Sequence, residues 1–172
     1  MQLSTGATTK YTLSMDSAGS FSMAEDSPYV GLSGTSGPDV ITGNASDNVL
    51  SGNGGDDELR GLAGNDRLVS GAGVDQLFGG AGDDTIVTNS GNDNVDAGAG
   101  DDTITVAGNL AFEDTIAGGD GIDTLVISAA VTSIAQTANV SGIEVINTSA
   151  SQNLALFAGT GYTTVQLGAV TA

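Results

Sequence analysis

Nine aspartates carry the chemistry of this sequence: Asp39, Asp57, Asp66, Asp75, Asp84, Asp93, Asp102, Asp114 and Asp123. From Asp57 to Asp102 they recur every ninth residue, and Asp114 to Asp123 repeats that interval. Each stands two residues before an aliphatic side chain and follows a short tract that is glycine-rich in most copies. Carboxylates stacked at a regular spacing repel one another by kcal/mol amounts unless something neutralises them. Such a row therefore makes sense with a cation. The chain holds no His and no Cys, so carboxylate and carbonyl oxygens are the donors on offer, and these select a hard ion. A glycine-rich turn that exposes carbonyls suits the larger, flexible shell of Ca²⁺ better than the strict octahedron of Mg²⁺. The same absences exclude a thiol nucleophile, an imidazole base, a Cys/His zinc site and a disulfide frame. Neighbouring carboxylates such as Asp83 and Asp84 have the types that glycosidase chemistry uses, but their phase commits them to the turns. No enzymatic activity is expected.

Positioning such a row requires a repeated element. Written in rows of nine from Gly34, the chain reads GTSGPDVIT, GNASDNVLS, GNGGDDELR, GLAGNDRLV, SGAGVDQLF, GGAGDDTIV, TNSGNDNVD and AGAGDDTIT; after three extra residues, Val106 to Gly108, come NLAFEDTIA and GGDGIDTLV. The eighth position holds Ile41, Leu50, Leu59, Leu68, Leu77, Ile86, Val95, Ile104, Ile116 and Leu125. Val, Ile and Leu make up 36 of 172 residues, so ten aliphatics in ten rows are a period and not an accident. A three-residue strand with one inward apolar side chain has no core of its own. Stacked as a solenoid, such strands bury a continuous aliphatic ladder, with backbones paired at roughly 4.8 Å. Two rows make one coil, with turns alternating between two edges. Same-edge turns then lie 18 residues apart, aligning Asp39, Asp57, Asp75 and Asp93 on one side and Asp66, Asp84 and Asp102 on the other.

These rows resemble the RTX nonapeptide GGxGxDxUx, a calcium-binding parallel β-roll repeat. The row GGAGDDTIV matches nearly letter for letter. The resemblance implies an all-β fold, a parallel β-roll or β-solenoid with Ca²⁺-binding turns, and the strand rhythm of the flanks extends it by non-calcium strands at both ends. Six residues would form each turn and three each strand, with the nine aspartates as metal ligands; pairing same-edge turns gives about five to eight Ca²⁺ ions. Some rows depart from the pattern: GNASDNVLS has Asn48 at the acid position and Ser46 at the fourth glycine, Pro38 sits in the first turn, and NLAFEDTIA, with Glu113 beside Asp114, lacks the turn glycines.

The expected organisation is a strand segment, cap or assembly arm over 1–33, the nonapeptide roll over 34–126, and a solenoid extension over 127–172. In the first segment Met15, Phe21 and Met23 are expected to cap the first coil. In the last, Leu125, Val145 and Val165 stand 20 residues apart, as though coils continue without calcium turns. The tract DGIDTLVIS…GIEVINTS…GYTTVQLGA is similar to segments that follow RTX rows in bacterial S-layer proteins.

With 21 acids, three bases and a net charge of −18, nucleic acid and anionic membrane surfaces are poor partners. No apolar stretch is long enough to span a membrane. The start, MQLSTGATTK, has no classical signal-peptide pattern, and the resemblance implies type I secretion through an uncleaved C-terminal signal. Without the ion the clustered carboxylates repel and the glycine turns lose too much entropy, so folding is expected outside the cell, where calcium modules work at ~10⁻⁴–10⁻³ M. The expected function is a secreted, calcium-folded structural protein at the cell surface. It would assemble with its own copies through the solenoid ends into an S-layer, filament or matrix, with a surface polysaccharide as a further partner. The alternative is a folding and export module of a larger secreted enzyme, toxin or adhesin. An ice-binding array, which needs regular Thr at one turn position, does not fit the mixed third position.

Overall fold

The computed structural model describes residues 11–14, 17–25, 29–107, 114–128, 139–148 and 164–167. Among these every regular element is a β-strand, and every pairing between strands is parallel. One sheet has nine strands: β1 (Tyr11–Ser14), β3 (Tyr29–Ser33), β5 (Val49–Gly54), β7 (Arg67–Ala72), β9 (Thr85–Thr88), β11 (Thr103–Val106), β13 (Thr124–Ile127), β15 (Val145–Thr148) and β16 (Thr164–Leu167). The other has seven: β2 (Ser20–Ser22), β4 (Val40–Thr42), β6 (Glu58–Ala63), β8 (Gln76–Ala81), β10 (Asn94–Ala99), β12 (Thr115–Asp120) and β14 (Val140–Ser141). From β1 to β15 odd and even strands alternate between the sheets, and β16 follows β15 in the same sheet, so the chain winds as the solenoid its period requires.

Within the rows the register is 18 residues: Val49 pairs with Arg67 and Glu58 with Gln76. All ten eighth-position aliphatics are buried, none more than 1% exposed. They join Leu32 and Ile146 in one core cluster, with Met23 buried and Phe21 packed against it. Met15 lies outside the described residues.

Within the rows every described strand but β4 is longer than the expected three residues. β5, β6, β7, β8, β10 and β12 each have six, because pairing continues into the next row. Asn53 aligns with Gly71 and Gly54 with Ala72. The inward side chain at the start of the new row must then be small. Adding a Cβ at Gly61 would collide with Asp66 Oδ2 and the Gly79 carbonyl oxygen. The second and fourth positions take up left-handed backbone, for example Gly80 at φ 118° and Gly82 at φ 124°, which glycine adopts without the Cβ clash.

Two registers differ from the sequence expectation. Val106 pairs with Thr88 and Ile127, so it stays in step and the extra residues fall after it. Beyond the nonapeptides, Leu125 aligns with Ile146 and Ile146 with Val165, steps of 21 and 19. Ile146, not Val145, carries the core ladder onward, since one residue of slip would turn the side chain to the opposite face. The expected strand in NLALFAG lies outside the described residues.

Candidate metal centre

Each acid position lies just before a strand, at the inner corner of a turn, where the chain has just reversed. Asp39, Asp57, Asp66, Asp75, Asp84, Asp93, Asp102, Asp114 and Asp123 are all buried. Two ladders of hydrogen bonds run through them. On one edge Gly19 N–H donates to Asp39 Oδ1 (2.7 Å), Asp39 N–H to Asp57 Oδ1 (2.8 Å), Asp57 N–H to Asp75 Oδ1 (2.8 Å), Asp75 N–H to Asp93 Oδ1 (3.1 Å) and Asp93 N–H to Asp114 Oδ1 (2.9 Å). On the other, Asn48 N–H donates to Asp66 Oδ1 (2.7 Å), Asp66 N–H to Asp84 Oδ1 (2.7 Å), Asp84 N–H to Asp102 Oδ1 (2.7 Å) and Asp102 N–H to Asp123 Oδ1 (2.9 Å). The two edges hold the aspartates that the 18-residue coil assigns to them.

One oxygen of each carboxylate is thus spent on the neighbouring coil. The second oxygen is the informative one. Oδ2 of Asp57, Asp66, Asp75, Asp84, Asp102 and Asp123 is buried with no hydrogen-bond partner. A buried charged oxygen without a partner is costly. Further acceptors gather beside it: Asp57 Oδ2 and the Ser70 carbonyl oxygen crowd the same side of Gly52, and Asp84 Oδ2 and the Ala97 carbonyl the same side of Gly79. Acceptor oxygens gathered this way are satisfied by a cation. An all-oxygen donor set fits Ca²⁺. Among the described residues no three acidic side chains converge on one point, so an ion held here draws on backbone carbonyls as well.

Burial raises the carboxyl pKa of these groups above the ordinary 3.8. Asp57, Asp84 and Asp93 are pushed up to about 6, and Asp66 and Asp102 to about 7. Asp75 and Asp123 move in the same direction for the same reason. Loss of water is the largest cause in each. The N–H donated by the preceding coil opposes it, and neighbouring acids add to it. Burial makes the charged form of these carboxylates costly, and a positive partner would offset that cost.

Asp39 is set apart from the six. Its Oδ2 accepts from Thr35 N–H (2.7 Å) and from the Thr35 hydroxyl (3.0 Å). Asp93 and Asp114 are buried in the ladder, but neither has an oxygen among the unpartnered set. Glu113 lies outside the described residues. At Asn48 a closed amide network fills the turn. Its Oδ1 accepts from Asn44 N–H (2.8 Å), its Nδ2 donates to Asn44 Oδ1 (3.2 Å), and Asn44 Nδ2 donates to the Ala24 carbonyl (2.9 Å).

Sequence reasoning missed two features. A second, exposed ladder joins the fifth positions, with Asp47 Oδ1 accepting from Asn65 N–H, Asn65 Oδ1 from Asp83 N–H and Asp83 Oδ1 from Asp101 N–H. Its signal was present as the Asp/Asn preference one place before the buried acid. Glu144 also continues the buried ladder, its Oε2 accepting from Asp123 N–H at 2.9 Å. It stands 21 residues after Asp123, the same step as Asp102 to Asp123, and that interval was the readable clue.

A family model for the RTX calcium-binding nonapeptide repeat (4 copies) matches residues 33–68, 69–104 and 111–126, just over half of the chain. No curated protein and no solved structure matches it. The nine-residue grammar, the parallel solenoid it winds into and the buried acid ladders all meet in that match, and the chain belongs to the RTX calcium-binding repeat family.

Proposed function

We propose that this is a secreted structural protein that folds when it meets Ca²⁺ outside the cell and then assembles with its own copies into a layer, filament or matrix. The observation that carries the folding half is the set of six buried, unpartnered carboxylate oxygens. Asp57, Asp66, Asp75, Asp84, Asp102 and Asp123 would hold the ions together with turn carbonyls. When bound, the ion supplies positive charge that offsets the repulsion and desolvation of the stacked acids, so binding free energy becomes folding free energy. Five to eight ions is the expected load for these turns. Catalysis has no part in this reading, since the buried acids are committed to the ladders.

The assembly half draws support from the sheet ends. Among the described strands β1, β2, β14 and β16 each pair on one side only, and such edges offer a template for another chain. The test is a Ca²⁺ titration from EGTA to ~10 mM, well above the usual extracellular range, followed by circular dichroism, light scattering and negative-stain microscopy. The proposal expects β-structure and ordered particles to appear together. A calcium-folded chain that stays monomeric would instead serve as a folding and export module of a larger secreted protein. No calcium response would remove both readings.

A further inference from the structure

The acids outlast the nonapeptides by one coil. β12 aligns Ile116 with Val140 and Ala117 with Ser141, which sets Gly142 beside Gly118. β13 aligns Thr124 with Val145, which sets Glu144 beside Asp123. The five-residue path from Gly118 to Asp123 is thereby matched by a two-residue path from Gly142 to Glu144. The turn is cut short by three residues, yet its two ends keep the positions that matter.

Those ends rebuild the oxygen pattern of the interior turns. Inside the roll, a Cβ added at Gly52, Gly61 or Gly79 would collide with Oδ2 of that turn's aspartate and with a carbonyl oxygen 18 residues on, from Ser70, Gly79 or Ala97. At Gly118 the colliding atoms are Asp123 Oδ2 and the carbonyl oxygen of Gly142. Asp123 is 0% exposed, and its Oδ2 has no hydrogen-bond partner. Its backbone N–H donates to Glu144 Oε2, as Asp102 N–H donates to Asp123. The longer Glu side chain spans what the shortened turn removes.

We propose that Gly142 and Glu144, which lie outside the nonapeptide rows, complete a terminal site for a hard divalent cation at Asp123. The donors are Asp123 Oδ2, the Gly142 carbonyl and the Glu144 carboxylate, an all-oxygen set suited to Ca²⁺. This rests on the reading of the repeats as calcium turns. It adds that the last ion is held half by the C-terminal extension, so that loading the roll also pins β14 and β15 onto it.

The test counts ions on the full chain by equilibrium dialysis with radioactive calcium and by titration calorimetry. Glu144→Gln keeps an oxygen able to accept from Asp123 N–H but removes the charge. The expected result is the loss of one ion per chain, or an affinity at least tenfold weaker for one ion, with the others unchanged. Asp123→Asn should lose the same ion, and the double variant should lose no more than either single one. An unchanged count and affinity in E144Q, or the loss of two ions in the double variant, overturns the site while leaving the calcium reading of the repeats intact. A parent chain that binds no calcium overturns both. If circular dichroism at saturating calcium shows E144Q unfolded, Asp123→Asn decides the question: a folded D123N that keeps the parent ion count overturns the site.

Discussion

At Asn48 the stack of acids is interrupted by an amide whose donor and acceptor are both used by Asn44. Replacing it with aspartate removes the donor and turns a carboxylate oxygen toward Asn44 Oδ1. Asn48→Asp is therefore expected to lower stability without calcium by about 1–3 kcal/mol, the usual cost of a buried polar group left unpaired. In exchange the carboxylate completes the row at that edge, and the chain is expected to bind one more Ca²⁺. Ion counting beside thermal melts in EGTA checks both effects. Leu62 offers an opposite case. Its backbone is left-handed at φ 86° and its side chain is half exposed, whereas Gly71, Gly80 and Gly98 fill the same place in other rows. Leu62→Gly relieves about 1–2 kcal/mol of steric cost against about 0.5–1 kcal/mol of added chain entropy. A net gain below about 1.5 kcal/mol is expected, and a lower melting temperature for L62G in calcium would contradict it.

The strand ladder depends on one inward side chain per row. Leu77 is fully buried between Leu59 and Val95, its register partners on either side. Leu77→Ala should cost about 2–5 kcal/mol, because the parallel backbones above and below cannot collapse into the cavity. Since folding and ion binding are linked, the loss should appear as a higher calcium concentration at the folding midpoint, with the number of ions unchanged. The same geometry explains a shift along the solenoid. The inward slot that opens each row is glycine, serine, threonine or alanine from Gly34 to Ala97, but its register equivalents Val106 and Ile127 are large and buried. In the rows the slot is crowded by a turn aspartate and a carbonyl; where the nonapeptide turns end, apolar volume takes their place.

Over the whole molecule, net charge and burial act against each other. The folded values of Asp57, Asp66, Asp84, Asp93 and Asp102 lie at about 6 to 7, above the ordinary 3.8. Between about pH 4 and 7 the folded chain therefore holds protons that the unfolded chain has released. Stability of the calcium-free chain must then fall as pH rises through that window, and is greatest below it. In EGTA, β-structure is expected to increase as pH is lowered from 7.5 to about 4.5, protons substituting in part for the cation. With saturating calcium the dependence should flatten or reverse, because protons then compete for the ligands. Circular dichroism across this range, with and without calcium, decides the matter. A calcium-free chain equally unfolded at both ends would show that burial does not control these groups.

The nine-residue rows determined the parallel solenoid, the ten core aliphatics and the two edges on which the aspartates stand, because side-chain phase in a repeated strand is set by sequence interval alone. The ion class was legible for the same reason, from acids in step and no His or Cys to compete. Tertiary structure alone decided which carboxylate oxygens are left unpartnered. Asp39 and Asp57 read alike, yet Thr35 satisfies Oδ2 of the first while Oδ2 of the second has no hydrogen-bond partner. It also decided that Ile146 and not Val145 continues the core, and that Glu144 joins the buried ladder across a turn three residues shorter. The last two outcomes depend on how coils of unequal length align, and that alignment is set by strand pairing between distant segments, not by any interval within one row.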